Sequence, residues 1–349
     1  MTTMSTPAAQ RPRATMKHVA ALAGVGVKTV SRVINDEPNV TPATAERVWN
    51  AVRELDYQLD LQAGSLRRAD GRTRTLGLLV GSVDNPFAGA IHRAVEDIAA
   101  ARGVAVFASS MDDDAGRESE AVRAFLQRRV DGLILTTASD HPEYLSLLRD
   151  RGLPVVYVDR EPMESDVDTV ASDNRAGAAA GTAHLVAHGH RRIALLTDRL
   201  DLVTARERRL GYLDALAQAG IPVSEELIVT GLHDAKDAAA ALGRLLSSHE
   251  PPTAVFSAQN LITIGALHAL RDAGRSHSVA LVGFDDVALA DLLDPGVTVV
   301  AQDPQQIGAR AADRVFARLE GVEDSPSRIV VPVRLITRGS GEIEPPERS

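Results

Sequence analysis

The sequence of 349 residues contains no cysteine, which excludes a disulfide framework and any metal site built on thiolates. It also lacks an uninterrupted apolar stretch long enough to cross a bilayer. The N-terminal stretch has basic and proline residues but no apolar central segment, so it does not look like a secretory signal. We therefore expect a cytoplasmic protein without membrane contact, with length enough for two or three domains.

Sequence patterns of common enzymes are missing as well. No G-x-G-x-x-G follows the first predicted strand, no P-loop lysine is present, and no nucleophile is evident beside a candidate base. We therefore predict neither catalytic residues nor a cofactor.

Two groups of residues could suggest a metal site. His184 and His188 are four apart on a predicted helix, with His190 nearby, but the glutamate of the zinc-protease motif is absent and Gly189 is typical of an ordinary helix end. Residues 112–114 are three aspartates without the alternating spacing and the glycine of a calcium loop. We predict no metal from these spacings, and we expect the aspartates to form a solvated strand end.

Charge is divided unevenly along the chain, whose formal net charge is -9. Residues 1–74 carry eleven Lys and Arg against seven Asp and Glu, a positive surplus of four, whereas the remainder has a negative surplus of thirteen. A basic N-terminal part can bind DNA phosphates, whereas the acidic remainder is expected to have a different function.

The stretch from Met16 to Asn35 has the pattern of two short helices separated by a tight turn. Apolar residues recur at helical spacing, Gly24 interrupts them, and the spacing then resumes. This is a helix-turn-helix pattern, in which the second helix lies in the DNA major groove. Val27, Lys28 and Arg32 would lie on the exposed face of that helix. A plain amphipathic helical hairpin gives the same periodicity.

The same stretch closely resembles the N-terminal module of the lactose/galactose repressor (LacI/GalR) family, V-A-x-x-A-G-V-S-x-x-T-V-S-R-V-x-N. One position departs, because Gly26 stands where the family usually has a serine that can cap the recognition helix and contact a phosphate. The resemblance implies a sequence-specific transcription regulator. It assigns DNA contacts to Thr15, Val27, Lys28, Thr29, Ser31, Arg32, Asn35, Tyr57 and Leu66.

The flanking segments complete this N-terminal part. We predict a disordered arm over residues 1–14, the helix-turn-helix domain over 15–58 with a third helix that begins at Thr41 and Pro42, and a hinge over 59–75. By resemblance, Leu66 would insert into the minor groove and bend the duplex. Gly64 inside so short a helix costs about 1 kcal/mol relative to alanine. The alternative is a flexible linker in which Leu66 is merely packed.

From residue 76 onward, apolar strands alternate with helices, which predicts parallel sheets covered by helices on both faces. Two such units suggest two doubly wound lobes, and the segment resembles the periplasmic sugar-binding-protein fold that the same repressors carry. That fold places the ligand-binding and dimerisation domain at 76–340, with one lobe over 76–171 and 303–327, the other over 172–302 and 328–340, and a tail over 341–349. Because no terminal leucine heptad is present, a homodimer is the simplest assembly.

Several polar residues follow predicted strands, at the edge where open parallel sheets bind ligands. Carboxylates and a forked guanidinium suit a ligand rich in hydroxyl groups. Residues 259 and 260 are Gln and Asn where the family typically has Asn and Asp, which suggests altered ligand size or orientation. The structural alternatives are that Asp285 caps a turn and that Arg208 pairs with Glu207. The candidate effector-binding residues are Asn85, Phe87, Asp159, Arg208, Gln259, Asp285 and Gln302.

The sequence thus predicts a dimeric regulator, most simply a repressor of carbohydrate uptake or metabolism genes. It would bind a near-palindromic operator and a small-molecule effector, by resemblance a sugar, between its lobes. A purine or another metabolite as effector is the alternative on the same scaffold. A plain sugar carrier is disfavoured, because it would need a signal peptide and no helix-turn-helix.

Overall fold

The computed structural model describes residues 14–34, 37–57, 72–163 and 166–347. The chain divides into two compact units, residues 1–73 and 74–349. Most of the predicted arm and hinge, including Leu66, lies outside the described residues, as does Asn35. No helix among the described residues is long and apolar enough to cross a membrane.

Among its described residues, the first unit has three helices, α1 (Met16–Ala23), α2 (Val27–Ile34) and α3 (Pro42–Glu54). Gly24 ends α1 in the left-handed conformation with φ 65°, which glycine adopts without steric cost. Thr41 precedes α3, and its hydroxyl accepts from the Thr44 amide at 3.4 Å, as the sequence predicts for the helix start. Val19, Val30 and Val48, one from each helix, are fully buried in a shared core.

The described part of the second unit forms two six-stranded sheets. The first sheet contains strands β1 (Thr75–Val80), β2 (Ala105–Ser110), β3 (Gly132–Leu135), β4 (Val155–Val158) and β5 (Asp168–Ser172). The second sheet contains strands β6 (Ile193–Leu196), β7 (Ile228–Val229), β8 (Ala254–Ser257), β9 (Ala280–Phe284) and β10 (Thr298–Ala301). Near the end of the chain, β11 (Arg328–Val331) returns to the first sheet, and β12 (Arg334–Ile336) pairs antiparallel with β10 at the edge of the second.

Helices cover both faces of each sheet, which confirms the predicted two-lobed α/β fold. On the first sheet, α4 (Pro86–Ala101) and α11 (Pro304–Leu319) cover one face, and α5 (Ala115–Gln127) and α6 (Leu145–Asp150) the other. On the second sheet, α7 (Asn174–Ala187) and α8 (Val203–Gln218) lie opposite α9 (Ala235–Leu246) and α10 (Asn260–Asp272).

The chain crosses between the lobes after Ser172, after Ala301 and after Val331. The last crossing was expected near Arg328, with residues 328–331 in the second lobe; instead, Arg328 pairs with Thr169 of β5, in the first lobe. The crossing follows at Pro332, which has no amide hydrogen for a sheet ladder. Part of the expected tail is also docked, since Gly341 is buried and the Glu342 carboxylate accepts a hydrogen bond from the Thr298 hydroxyl at 2.9 Å.

Candidate functional site

A cleft lies between the two lobes, at the carboxyl ends of their strands. Asp159 follows β4, Asp285 follows β9, Gln302 follows β10, and Asn85 caps the start of α4. The residues predicted to bind an effector lie together there: Asn85, Phe87, Asp159, Arg208, Gln259, Asp285 and Gln302 all line this one cleft.

Two aspartates hold left-handed backbone conformations at the strand ends, with φ 66° for Asp159 and 72° for Asp285. Asp285 accepts hydrogen bonds from the Gln302 side-chain amide and, at 3.3 Å, from the Asn260 backbone amide. Asp159 Oδ1 is buried without a hydrogen-bond partner among the described residues. Burial raises the pKa of the Asp159 carboxyl, although Arg160 and Arg208 act in the opposite direction.

Arg208 forms part of the wall of the cleft from α8 and is almost fully buried. Its Nε donates to Asn174 Oδ1 at 2.8 Å, and a terminal nitrogen donates to the Ala258 carbonyl at 2.7 Å. The guanidinium also lies 3.8 Å from the centre of the Phe284 ring. These contacts fix the guanidinium plane, so that it presents its remaining donors in one direction. No ion pair of Arg208 with Glu207 is present among the described contacts.

The neighbouring residues Gln259 and Asn260 form hydrogen bonds with different parts of the molecule. The Gln259 side-chain oxygen caps α10, accepting from the Leu261 and Ile262 amides at 3.1 and 3.2 Å. Its longer side chain thus folds back on the helix. Asn260 instead spans the lobes, donating from Nδ2 to Asn85 Oδ1 at 2.7 Å.

Arg160 and Asp198 also line the cleft and were not predicted. Both stand at a strand end, Arg160 two residues after β4 and Asp198 two residues after β6, so the strand-end rule could have identified them. Arg160 forms a close ion pair with Asp113. The Asp113 side chain is only 8% exposed, so the expectation of a solvated strand end is wrong at this position, because the guanidinium covers it.

The rim of the cleft brings three further side chains together. His233 Nδ1 lies 4.0 Å from Asp113 Oδ2 and 4.0 Å from Asp198 Oδ1. Asp113 belongs to the first lobe, and the other two residues belong to the second. Burial raises the pKa of the Asp198 carboxyl, and the nearby Asp113 acts in the same direction.

The three histidines weighed as metal ligands make other contacts. His184 Nε2 meets Glu342 Oε1 at 2.5 Å, and His188 Nδ1 lies 2.9 Å from the His184 carbonyl. His190 bonds Thr253 Oγ1 at 2.9 Å and the Ile343 carbonyl at 2.7 Å. Two of these imidazoles therefore attach the C-terminal segment to the second lobe.

In the first unit, the second helix presents the expected face to solvent. Val27 is 41% exposed and Lys28 is exposed, whereas Val30 and Val33 are buried in the core. Arg32 is partly exposed, and its Nε lies 3.8 Å from Glu37 Oε2. Among the other predicted DNA contacts, Thr15 is exposed before α1, and Thr29, Ser31 and Tyr57 are partly buried.

Comparison with known proteins covers both units. The profile of "Bacterial regulatory proteins, lacI family" matches residues 15–60, and that of "Periplasmic binding proteins and sugar binding domain of LacI family" matches residues 73–339. The chain belongs to the LacI family. Members are transcriptional repressors and not enzymes, so this chain is a ligand-responsive, DNA-binding repressor of sugar or metabolite genes.

Individual LacI-family proteins resemble almost the whole chain. The ribose operon repressor of Escherichia coli is 33% identical over 330 residues, covering 94% of this chain and 99% of that protein. The repressor PurR of Aliivibrio fischeri is 30% identical over 332 residues, 94% of this chain and 98% of its own. The Lac repressor dimer bound to operator and the anti-inducer ONPF matches with a TM-score of 0.84 and 27% identity, over 95% of this chain and 99% of that one.

Proposed function

We propose that this LacI-family repressor controls carbohydrate uptake or metabolism genes and responds to an uncharged sugar bound between its lobes. It acts in the cytoplasm, where its operator DNA is. The observation that carries the proposal is the convergence of Asn85, Phe87, Asp159, Arg208, Gln259, Asp285 and Gln302 on one cleft.

The hydrogen-bonding groups of the cleft suit hydroxyl groups. Asp159 Oδ1 and Gln302 Oε1 are buried acceptors without a partner among the described residues, and each needs a donor from a ligand or water. Arg208 offers donors beside them. A sugar hydroxyl both donates and accepts hydrogen bonds, so one sugar ring can bond to the carboxylate, the amide and the guanidinium at the same time.

The charges of the cleft disfavour a phosphorylated ligand. Asp159, Asp198 and Asp285 face only Arg160 and Arg208 among the charged lining residues. Each guanidinium already contacts protein acceptors, Asp113 for Arg160 and the Ala258 carbonyl for Arg208. A phosphate would add negative charge to a largely buried, already acidic site.

A purine effector is the second candidate, because PurR of Aliivibrio fischeri is among the relatives. A purine ring is usually held between apolar or aromatic faces. Among the residues that line this cleft, Phe87 is the aromatic one, and the other side chains are mostly polar or charged. This composition favours the sugar.

A thermal-shift screen of sugars, sugar phosphates and nucleobases tests the proposal. At a hundredfold excess over the dissociation constant, binding should stabilise the protein by about 2.7 kcal/mol. Asp285→Ala should abolish the shift, whereas Asp303→Ala, which removes a helix cap outside the cleft lining, should keep it. Operator binding with and without the hit then distinguishes inducer from corepressor. A shift with nucleobases alone would establish the purine alternative.

On DNA, we propose that two copies of α2 read the half-sites of a near-palindromic operator. Arg32 is suited to a bidentate guanine contact and Val27 to a thymine methyl group. Thr15, Lys28, Thr29, Ser31, Asn35 and Tyr57 would contact bases or phosphates, and Leu66 would be the minor-groove wedge.

The homodimer that this reading requires has a candidate surface on the second lobe. Leu289, Leu292 and Leu293 are exposed in the loop after β9, and Ile264 of α10 is exposed beside the same apolar groove as Leu289 and Leu293. Leu289 also has φ 66°, a conformation that a bulky residue rarely adopts. We propose that this apolar surface packs against a second copy of the chain.

A further inference from the structure

The cleft and its rim hold more buried carboxylates than buried guanidinium groups. Asp113, Asp159, Asp198 and Asp285 are all largely buried. The guanidinium groups of Arg160 and Arg208 are the buried cations among them. Two carboxylate charges therefore remain without a buried counter-charge, which is costly in a medium of low polarity.

Two of these carboxylates, Asp113 and Asp198, lie beside His233. Asp113 Oδ1 is paired with Arg160, whereas Asp198 has no arginine partner among the described ion pairs. The carboxylates of Asp113 and Asp198 are more than nine-tenths buried, whereas His233 is 55% exposed and open to solvent. One ligand atom from each residue, Asp113 Oδ2, Asp198 Oδ1 and His233 Nδ1, lies within 4.8 Å of the other two. Three such atoms need to move by less than about 1 Å to share one divalent ion.

We propose that Asp113, Asp198 and His233 bind a divalent transition-metal ion of the zinc class at the rim of the cleft. Two carboxylate oxygens and one imidazole nitrogen form a common ligand set for such an ion, and exposed His233 leaves room for water as a further ligand. The imidazole disfavours Mg²⁺ and Ca²⁺, which prefer ligands made of oxygen alone. The ion would add positive charge beside Asp198, which has no arginine partner among the described ion pairs, and beside Asp113 Oδ2, whose neighbouring oxygen pairs with Arg160.

The site would join the two lobes. Asp113 lies between β2 and α5 of the first lobe, whereas Asp198 and His233 follow β6 and β7 of the second. A nearby contact also crosses the cleft here, from the Arg199 guanidinium to the Asp113 carbonyl at 3.1 Å. An ion held from both sides favours the closed arrangement of the lobes, and its binding is linked reciprocally to any ligand that prefers the same arrangement.

The sequence could not have indicated this site. Its ligands come from three loops separated by 85 and 35 residues, as the positions 113, 198 and 233 show. No spacing rule of the kind applied to His184 and His188 covers such a set, since it is assembled only when the lobes face each other.

The experiment is a zinc titration of the untagged full chain by isothermal calorimetry, with bound metal counted after dialysis. We expect one Zn²⁺ per chain, and at least about a tenfold weaker affinity in His233→Ala and Asp198→Asn. His277→Ala is the matched control, because His277 is also an exposed histidine beside an aspartate, 3.9 Å from Asp294. It should bind Zn²⁺ as the wild type does.

Two results would overturn the proposal: no zinc bound by the wild type, or equal zinc affinity in His233→Ala and the wild type. A fold check by circular dichroism identifies any variant that fails to fold, and exposed His233 makes its alanine variant the safer of the two. The sugar screen with Asp285→Ala is read separately, so failure of the metal site and failure of the sugar proposal can be told apart.

Discussion

Arg32 is the side chain of α2 on which the proposed recognition of guanine depends. It is partly exposed on α2, and its one charged neighbour among the described contacts is Glu37, at 3.8 Å. An exposed ion pair of this length contributes at most about 1 kcal/mol, so Arg32 can leave Glu37 for a guanine edge at small cost.

We predict that Arg32→Ala lowers the preference for operator over random DNA by about 1 to 3 kcal/mol. The measurement is a pair of fluorescence-anisotropy titrations, with operator and with random duplex, at one salt concentration. Arg47→Ala is the control, because Arg47 is exposed on α3 and outside the proposed contacts. An unchanged preference in Arg32→Ala would refute the assignment.

His190 links stability to pH through a single buried imidazole. Burial lowers the pKa of His190 below its ordinary value of 6.5, with His188 acting in the same direction and the Ile343 carbonyl opposing it. The folded protein thus prefers the neutral ring. Stability from this group is present above about pH 6.5 and is lost as the pH falls toward the lowered pKa, because the unfolded chain binds the proton first.

We predict that the free energy of unfolding falls more steeply between pH 7 and pH 5 in the wild type than in His190→Gln. Urea denaturation at several pH values measures it, and His277→Gln, at an exposed histidine, should keep the slope of the wild type. Equal slopes in His190→Gln and the wild type would show that this ring does not titrate on unfolding.

The packing of helices α7 and α8 determines where Arg208 lies. A methyl group added at Gly211 on α8 would lie 2.1 Å from the Arg175 carbonyl oxygen and 2.8 Å from the Ala179 amide nitrogen on α7. Both are backbone atoms that cannot turn away. The same close approach lets Arg208 reach Asn174 at the start of α7.

We predict that Gly211→Ala destabilises the protein by at least about 1 to 3 kcal/mol, because the two helices must separate. Chemical denaturation measures this change, and sugar binding should weaken with it as Arg208 moves. Gly243→Ala on α9 is the control, since nothing lies within 4 Å of its added methyl, and it should stabilise by roughly 0.5 to 1 kcal/mol. Equal stability of the two variants would contradict this view of the helix contact.

The elements themselves were largely predictable, and so was the place of the cleft. Alternating strands and helices, the cap at Thr41 and the polar residues after strands all follow from local patterns. The partners of individual side chains could not be predicted from these local patterns. Whether Gln259 faces a ligand or caps α10, and whether Asp113 is solvated or covered by Arg160, depends on residues distant in sequence. Residue 332 is a proline that could have placed the third crossing correctly.

At the scale of the whole molecule, the contacts between the lobes relate the cleft to regulation. Asn260 bonds Asn85, and Arg206 pairs with Asp140 at 3.3 Å, in each case from one lobe to the other. An effector can shift the repressor between DNA-binding states only by binding one arrangement more tightly than another. These contacts require the lobes to be close together, so an effector that favours the closed arrangement would strengthen them.

The proposed dimer is argued at the same scale, and Leu292 tests it. Leu292 is 73% exposed, next to the apolar groove that Leu289 and Leu293 line. We predict that Leu292→Asp weakens self-association by at least about 3 kcal/mol, roughly a hundredfold, because a carboxylate would be buried without a partner. Sedimentation velocity over a range of concentrations measures the dissociation constant.

Operator binding should follow the loss of the dimer. A monomer reads one half-site, so Leu292→Asp should lose affinity for the full operator but bind a single half-site as the wild type does. Val223→Asp places the same charge at another exposed apolar position of the second lobe and should leave both properties unchanged. If Leu292→Asp remained dimeric at nanomolar concentration, the dimer surface would have to lie elsewhere, and the edge strand β2 with its exposed Phe107 would be the next surface to test.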